Sequence, residues 1–191
     1  MRRNQLFIYA ATATTLVLGL SGCGSHSQAA ANPSPTISTA PILYPCDTSQ
    51  LAWEVGQVGG AAGHIGFTGA NFYNTSATTC TLIGRPKLQM LDDADDVIPT
   101  FTLAGPSVTV PNIKPVTVTI APGERAFFDL GYASGTGYGF LQCPASTFVK
   151  ITPPENSEAL TVAWKIQPYG GPSIQQLRCG EIYVSPVYKI N

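Results

Sequence analysis

Val116-Thr-Val-Thr-Ile-Ala-Pro-Gly-Glu-Arg-Ala-Phe-Phe-Asp-Leu130 alternates apolar and polar side chains on both sides of a four-residue break. Val116, Val118 and Ile120 alternate with threonines, a period of two that suits a half-buried strand and would scatter around a helix. In Ala121-Pro122-Gly123-Glu124, the proline pre-sets one turn dihedral and the glycine takes a positive φ without a Cβ clash, so a tight reversal is expected. Beyond it, Ala126, Phe128 and Leu130 should face one way, and Phe127 and Asp129 the other.

The same pattern recurs outward. Leu51, Trp53 and Val55 alternate with Ala52, Glu54 and Gly56. Further strands are expected over 65–73, 78–83, 87–91, 97–103, 125–130, 147–152, 159–165 and 182–188. Turn signals fall between them at Gly59-Gly60, Asn74-Thr75-Ser76, Gly84-Arg85-Pro86 and Pro153-Pro154-Glu155-Asn156. Many short strands at this spacing mean an all-β fold of two packed sheets. The expected core is Trp53, Phe72, Leu82, Met90, Val118, Ile120, Phe128, Leu130, Val149, Val162 and Val184.

The chain of 191 residues is 44% hydrophobic and only 11% charged, with a formal net charge of -1. That charged fraction argues against a charge-driven disordered chain or a coiled coil. Nucleic acid is a poor partner, because the basic residues are scattered singly except for Arg2 and Arg3.

Those two arginines precede an apolar run from Leu6 to Leu20, the layout of a signal peptide over residues 1–22. It ends in Leu20-Ser21-Gly22-Cys23, the arrangement of a bacterial lipoprotein signal. Cleavage before Cys23 and a thioether from its sulfur to diacylglycerol would anchor the chain to a membrane. Each buried lipid CH₂ contributes about 0.8 kcal/mol, so two or three acyl chains hold what one would release. A plain single-pass anchor competes with this reading, but Leu6–Leu20 is short against the roughly 20 residues needed to span. After Cys23, residues 24–45 carry no charged side chain and include Pro33, Pro35, Pro41 and Pro45. That segment reads as a polar, proline-stiffened tether, 23–45, ahead of one domain, 46–191.

Cys46, Cys80, Cys143 and Cys179 remain, an even number that points to two disulfides in an exported chain. Spacing alone allows three connectivities. The sequential choice would close two loops of similar length, each worth about 4 kcal/mol by loop-closure entropy, and the nested choice stays open. A zinc site would need close cysteine pairs, which are absent from the sequence.

Seven pieces follow one another along the chain: CDTSQLAWEV from Cys46 to Val55, GAAGH from Gly60 to His64, FYNTSATTCTLIGRP from Phe72 to Pro86, APGE from Ala121 to Glu124, Cys143-Pro144, Pro153-Pro154 and CGEIYVSPV from Cys179 to Val187. Taken in order, they resemble the domain of unknown function DUF4232, found in actinobacterial cell-envelope lipoproteins. The resemblance covers about residues 46–188. It implies an immunoglobulin-like β-sandwich, exported and often lipid-anchored, with Cys46 paired to Cys80 and Cys143 to Cys179. No reaction is implied. Asp92-Asp93-Ala94-Asp95-Asp96 departs from the Asp-Gly type turn of other members, and Gly131 to Phe140 is unusually rich in glycine and aromatic residues.

Four features could carry chemistry. His64 is the one histidine of the expected domain, but a base needs a nucleophile and an orienting partner, and no G-x-S-x-G elbow is present. A backbone-bonded histidine opening a strand is the simpler reading. Asp92, Asp93, Asp95 and Asp96 invite calcium, yet an EF-hand count from Asp93 puts Ile98 at the turn glycine and Ala104 at the bidentate glutamate. A solvated hairpin tip that discourages sheet association is favoured over calcium. Gly135 to Phe140 lacks the helix a phosphate loop needs, which leaves a mobile loop bearing Tyr132, Tyr138 and Phe140; their rings could stack on a sugar or a peptide, but a glycine-permitted loop whose aromatics fold back over the core edge is favoured. The sequon at Asn74 serves better as a side-chain-bonded turn.

The expectation is therefore a non-enzymatic binding or accessory module at the outer face of the cytoplasmic membrane, without a cofactor. It would be held by its lipid and partnered by an envelope protein or glycan. A structural envelope protein without a discrete ligand and a hydrolase using His64 are the alternatives.

Overall fold

The computed structural model describes residues 42–137, 139, 141–164, 166 and 176–190. Cys23, the leader, the tether through residue 41, Tyr138 and Phe140 lie outside the described residues.

A 3-10 turn, Thr48–Gln50, leads into β1 (Leu51–Glu54), followed by β2 (Gln57–Ala61), β3 (His64–Asn74), β4 (Cys80–Leu82), β5 (Lys87–Leu91) and β6 (Val97–Ile98). Next come β7 (Phe101–Leu103), β8 (Val118–Ile120), β9 (Arg125–Ala133), β10 (Phe148–Thr152), β11 (Leu160–Ala163) and β12 (Glu181–Val184). The largest sheet runs β1-β3-β9-β12-β7 with β2 also on β3, a second runs β11-β10-β5-β6, and β4 pairs with β8. All these pairings are antiparallel except β12 with β7.

Side chains from all three sheets meet in one buried cluster. Phe72 of β3 and Phe128 of β9 lie with ring centroids 5.2 Å apart, against Met90 of β5, Val149 of β10 and Ile120 of β8, none of them exposed. Trp53 stacks on Trp164 at 5.2 Å, and Phe67 meets Trp164 edge-on at 5.4 Å. Of the expected core, Phe72, Leu82, Met90, Val118, Ile120, Phe128, Leu130, Val149 and Val184 are buried. Trp53 and Val162 are only half-buried and pack against the cluster. Both sit on outer strands of their sheets, β1 and β11, where among the described residues one flank has no paired strand. The faces of β9 alternate as expected: Ala126, Phe128 and Leu130 enter the core, while the Asp129 carboxylate on the other face accepts from Gly69 N–H (2.8 Å) and the Tyr188 hydroxyl (2.9 Å).

Three local expectations need correction. Gly59-Gly60 is not a turn but the middle of β2, paired with Gly66 and Ile65. The reversal falls instead at Ala62-Gly63, both at positive φ (49° and 77°), the geometry that matches the twist of a two-residue hairpin. The single strand expected over 97–103 is two strands in different sheets, β6 on β5 and β7 on β12, parted at Pro99-Thr100. Proline cannot donate to a ladder, so pairing ends there and the chain crosses over. The Pro122-Gly123 turn forms, with Gly123 at φ 81° and Glu124 N–H donating to Ala121 O at 2.9 Å. It does not fold β9 back on β8, however, since β8 pairs with β4 and β9 with β3 and β12.

Cys46 is bonded to Cys80 and Cys143 to Cys179, at sequence separations of 34 and 36. The first bond joins the chain just ahead of β1 to β4. The second ties the segment before β10 to the residue two places before β12.

Candidate functional site

The crossover at Pro99-Thr100 creates the most distinctive surface feature. Because β6 reaches only Met90 and Leu91, the start of β5 has no strand beside it on that flank. Threonines of the crossing segment take the strand's place. Thr102 Oγ1 accepts the Leu88 N–H at 3.0 Å, and Thr100 Oγ1 accepts the Met90 N–H at 3.0 Å while donating to Ile98 O at 2.6 Å. Gln89 Nε2 adds bonds to Ile98 O (2.6 Å) and Thr100 Oγ1 (3.1 Å). The outward donors of Leu88 and Met90 are thus satisfied by side chains, and the seam between the two larger sheets is closed.

Phe101 stands between those threonines. Alternation along the strand turns its ring away from the seam that they fill, and 64% of its surface is exposed. Its backbone is held from the other flank, where its N–H donates to Gly180 O at 2.7 Å. Gly180 has φ 81°, and a Cβ there would press on the Pro99 carbonyl oxygen, so this close crossing requires glycine. The preceding residue is Cys179, also at positive φ (66°), whose disulfide to Cys143 fixes the approach.

Two clefts share the ring. One, of about 540 Å³, lies against the seam and is lined by Lys87, Gln89, Thr100, Phe101, Leu103 and Thr152 among others. The other, of about 360 Å³, is lined by Pro99, Phe101, Gln142, Pro144, Cys179 and Glu181. Gln142 and Pro144 bring the end of the glycine-rich loop to this rim, next to the fully exposed Leu141. The lining pairs an apolar platform with amide, hydroxyl, ammonium and carboxylate groups. Such a set can hold a ligand by stacking and peripheral hydrogen bonds.

The residues singled out in the sequence are dispersed. His64 opens β3, its Nδ1 lying 3.1 Å from Ala62 O of the hairpin turn. Tyr132 is not on the loop. It belongs to β9, on the face of Ala126, Phe128 and Leu130, and is 0% exposed, so it cannot present its ring to a partner. Burial pushes its phenol well above the ordinary tyrosine range. Register sets Tyr132 opposite Ile65 and His64 opposite Ala133, which sends the two side chains to opposite faces. Asp92 at the β5–β6 tip spends its Oδ1 on the N–H groups of Ala94 and Asp96, each at 2.9 Å. Among the described residues no three His, Cys, Asp or Glu side chains are grouped to hold a metal, so the calcium alternative finds no cage there. Asn74 is 0% exposed. Its Nδ2 donates to Thr78 O (2.8 Å) and Ile120 O (3.0 Å), and its Oδ1 accepts from Ser76 N–H (3.0 Å).

Sequence reasoning missed Phe101. A signal existed in Pro99-Thr-Phe-Thr102, an aromatic between two hydroxyls just past a ladder-breaking proline. Alternation alone did not say which sheet the segment joins.

The described residues form an all-β body with two disulfides and an exposed aromatic ring, Phe101, at one rim. The chain belongs to the domain of unknown function DUF4232, whose family model matches residues 46–188. No curated protein and no solved structure matches it.

Proposed function

We propose that this chain is a non-enzymatic binding or accessory module of the cell envelope. Cys23 carries the lipid that holds it at the outer face of the cytoplasmic membrane, residues 24–45 are the tether, and 46–191 form an immunoglobulin-like sandwich. The merging of β3, β9, β5 and β10 side chains in one cluster supports the sandwich. Leu20-Ser21-Gly22-Cys23 supports the anchor. Phe101 carries the binding reading: a large ring left 64% exposed on a strand fixed from both flanks, between two clefts. Exposed aromatics on rigid backbone give contact area at small entropic cost and dominate interfaces.

The test is cross-linking in intact cells followed by purification of the wild-type chain and of Phe101→Ser. Loss of a specific cross-linked species from the variant is the expected outcome. Identical profiles would remove Phe101 from the contact face.

A further inference from the structure

We propose that Phe101 and its two clefts form one continuous groove for an oligosaccharide, with a sugar ring stacked on Phe101 and its neighbours seated on either side. This rests on the reading of Phe101 as the contact residue.

Three observations select the ligand class. The first excludes a peptide added as a strand to β5. Strand addition needs free backbone donors, and the outward N–H groups of Leu88 and Met90 are already taken by Thr102 and Thr100. The second is that the ring is an exposed platform, with 64% of its surface open, rather than an anchor sunk into an apolar pocket. A partner's hydrophobic anchor seeks such a pocket, whereas the C–H face of a sugar needs only a flat ring to cover it. The third is the lining. Lys87, Gln89 and Thr152 on one side and Gln142 and Glu181 on the other supply both donors and acceptors. Sugar hydroxyls, which donate and accept, need that mixture, and one ammonium in one cleft with one carboxylate in the other gives no single-sign field for an anion or a cation.

The arrangement fixes a length dependence. A monosaccharide can occupy only the platform, so affinity should rise from mono- to trisaccharide and then level off as both clefts fill.

Saturation-transfer NMR and calorimetry with the full chain, using β-1,4-glucan, β-1,4-N-acetylglucosamine, α-1,4-glucan and xylan oligomers of one to six units, test this. We expect at least one series to show saturation of sugar C–H protons, affinity that grows through three units, loss of about tenfold or more in Phe101→Ser, and retention in Phe101→Trp. Lys87→Ala should weaken binding without abolishing it. Absence of saturation transfer across all four series overturns the saccharide assignment, and so does equal binding by Phe101→Ser. If Phe101→Ser still loses a cross-linked protein from intact cells, the binding reading stands and only the ligand class falls. If neither assay responds to Phe101, both fall.

Discussion

Asn74 shows how one buried amide can organise a corner. It reaches from the end of β3 to Ile120 O at the end of β8 and to Thr78 O ahead of β4. Asn74→Ala would strip a partner from the buried Ile120 O and from the part-buried Thr78 O and Ser76 N–H at once, a buried group left unmet costing about 1–3 kcal/mol. A loss of about 2–4 kcal/mol in denaturant unfolding is expected, and a loss below about 0.5 kcal/mol would show that water replaces the amide freely. Two tyrosines make a second residue-scale test. Burial raises the phenol of Tyr132, and burial together with the hydrogen bond to Asp129 raises that of Tyr188. A group whose folded value lies above its unfolded value contributes stability fully present below the unfolded value, about 10 for tyrosine, and lost as pH rises through the folded one. Absorbance at 295 nm should therefore show both staying neutral past about pH 11 until the fold opens. Tyr132→Phe or Tyr188→Phe should leave the early-titrating count unchanged. Glu54 behaves with the opposite sign. Arg125 grips its carboxylate at 2.8 and 3.1 Å and holds it below the ordinary 4.5. Its contribution is present above 4.5 and lost as pH falls through the lowered value. Because the pair is exposed, Glu54→Gln should cost under about 1 kcal/mol at pH 7, with the difference from wild type vanishing in acid.

At the scale of elements, a glycine pair holds the segment that links β7 to β8. Gly66 and Gly131 face each other across β3 and β9, and Thr109 sits over both. A Cβ at Gly131 would overlap Thr109 Oγ1, and one at Gly66 would crowd Thr109 Cβ. Val110 beside it is buried, and the turn is tied by Ser107 N–H to Val110 O at 3.0 Å. Gly131→Ala should cost about 1–3 kcal/mol by overpacking, and Thr109→Ala in the same chain should restore part of it. Strict additivity in the double-mutant cycle would contradict this contact. The strands themselves were legible in the sequence, since Lys87–Leu91 appears with its expected bounds and β8 and β9 follow their period of two. Their pairing was not. Alternation is a local property, while the choice of β4 for β8, or of β12 for β7, is decided by side chains far along the chain. Gly59-Gly60 misled for a related reason: pairing with β3 overrode a turn composition, and the real turn uses Ala62 at positive φ, a residue that gives no such signal. Tyr132 was misplaced because β9 runs past Leu130 to Ala133, carrying its buried face three residues into a stretch whose glycine content suggested a loop.

For the whole molecule, the two disulfides do different work. Each should contribute about 2–4 kcal/mol through its loop. Cys143–Cys179 also fixes Gly180, whose carbonyl holds the Phe101 backbone. Cys143→Ser/Cys179→Ser should therefore lose both stability and binding. Cys46→Ser/Cys80→Ser should lose stability of similar size yet bind normally at a temperature where it stays folded. Equal binding losses from the two pairs would detach the rim from the second bridge. The central claim is that Phe101 is the contact residue of a display module. The most direct test is an equilibrium isotherm of the labelled, purified chain on isolated envelopes, wild type against Phe101→Ser, with matched thermal melts. The account predicts saturable wild-type binding and an affinity about tenfold or more lower in the variant. Superimposable isotherms would contradict it.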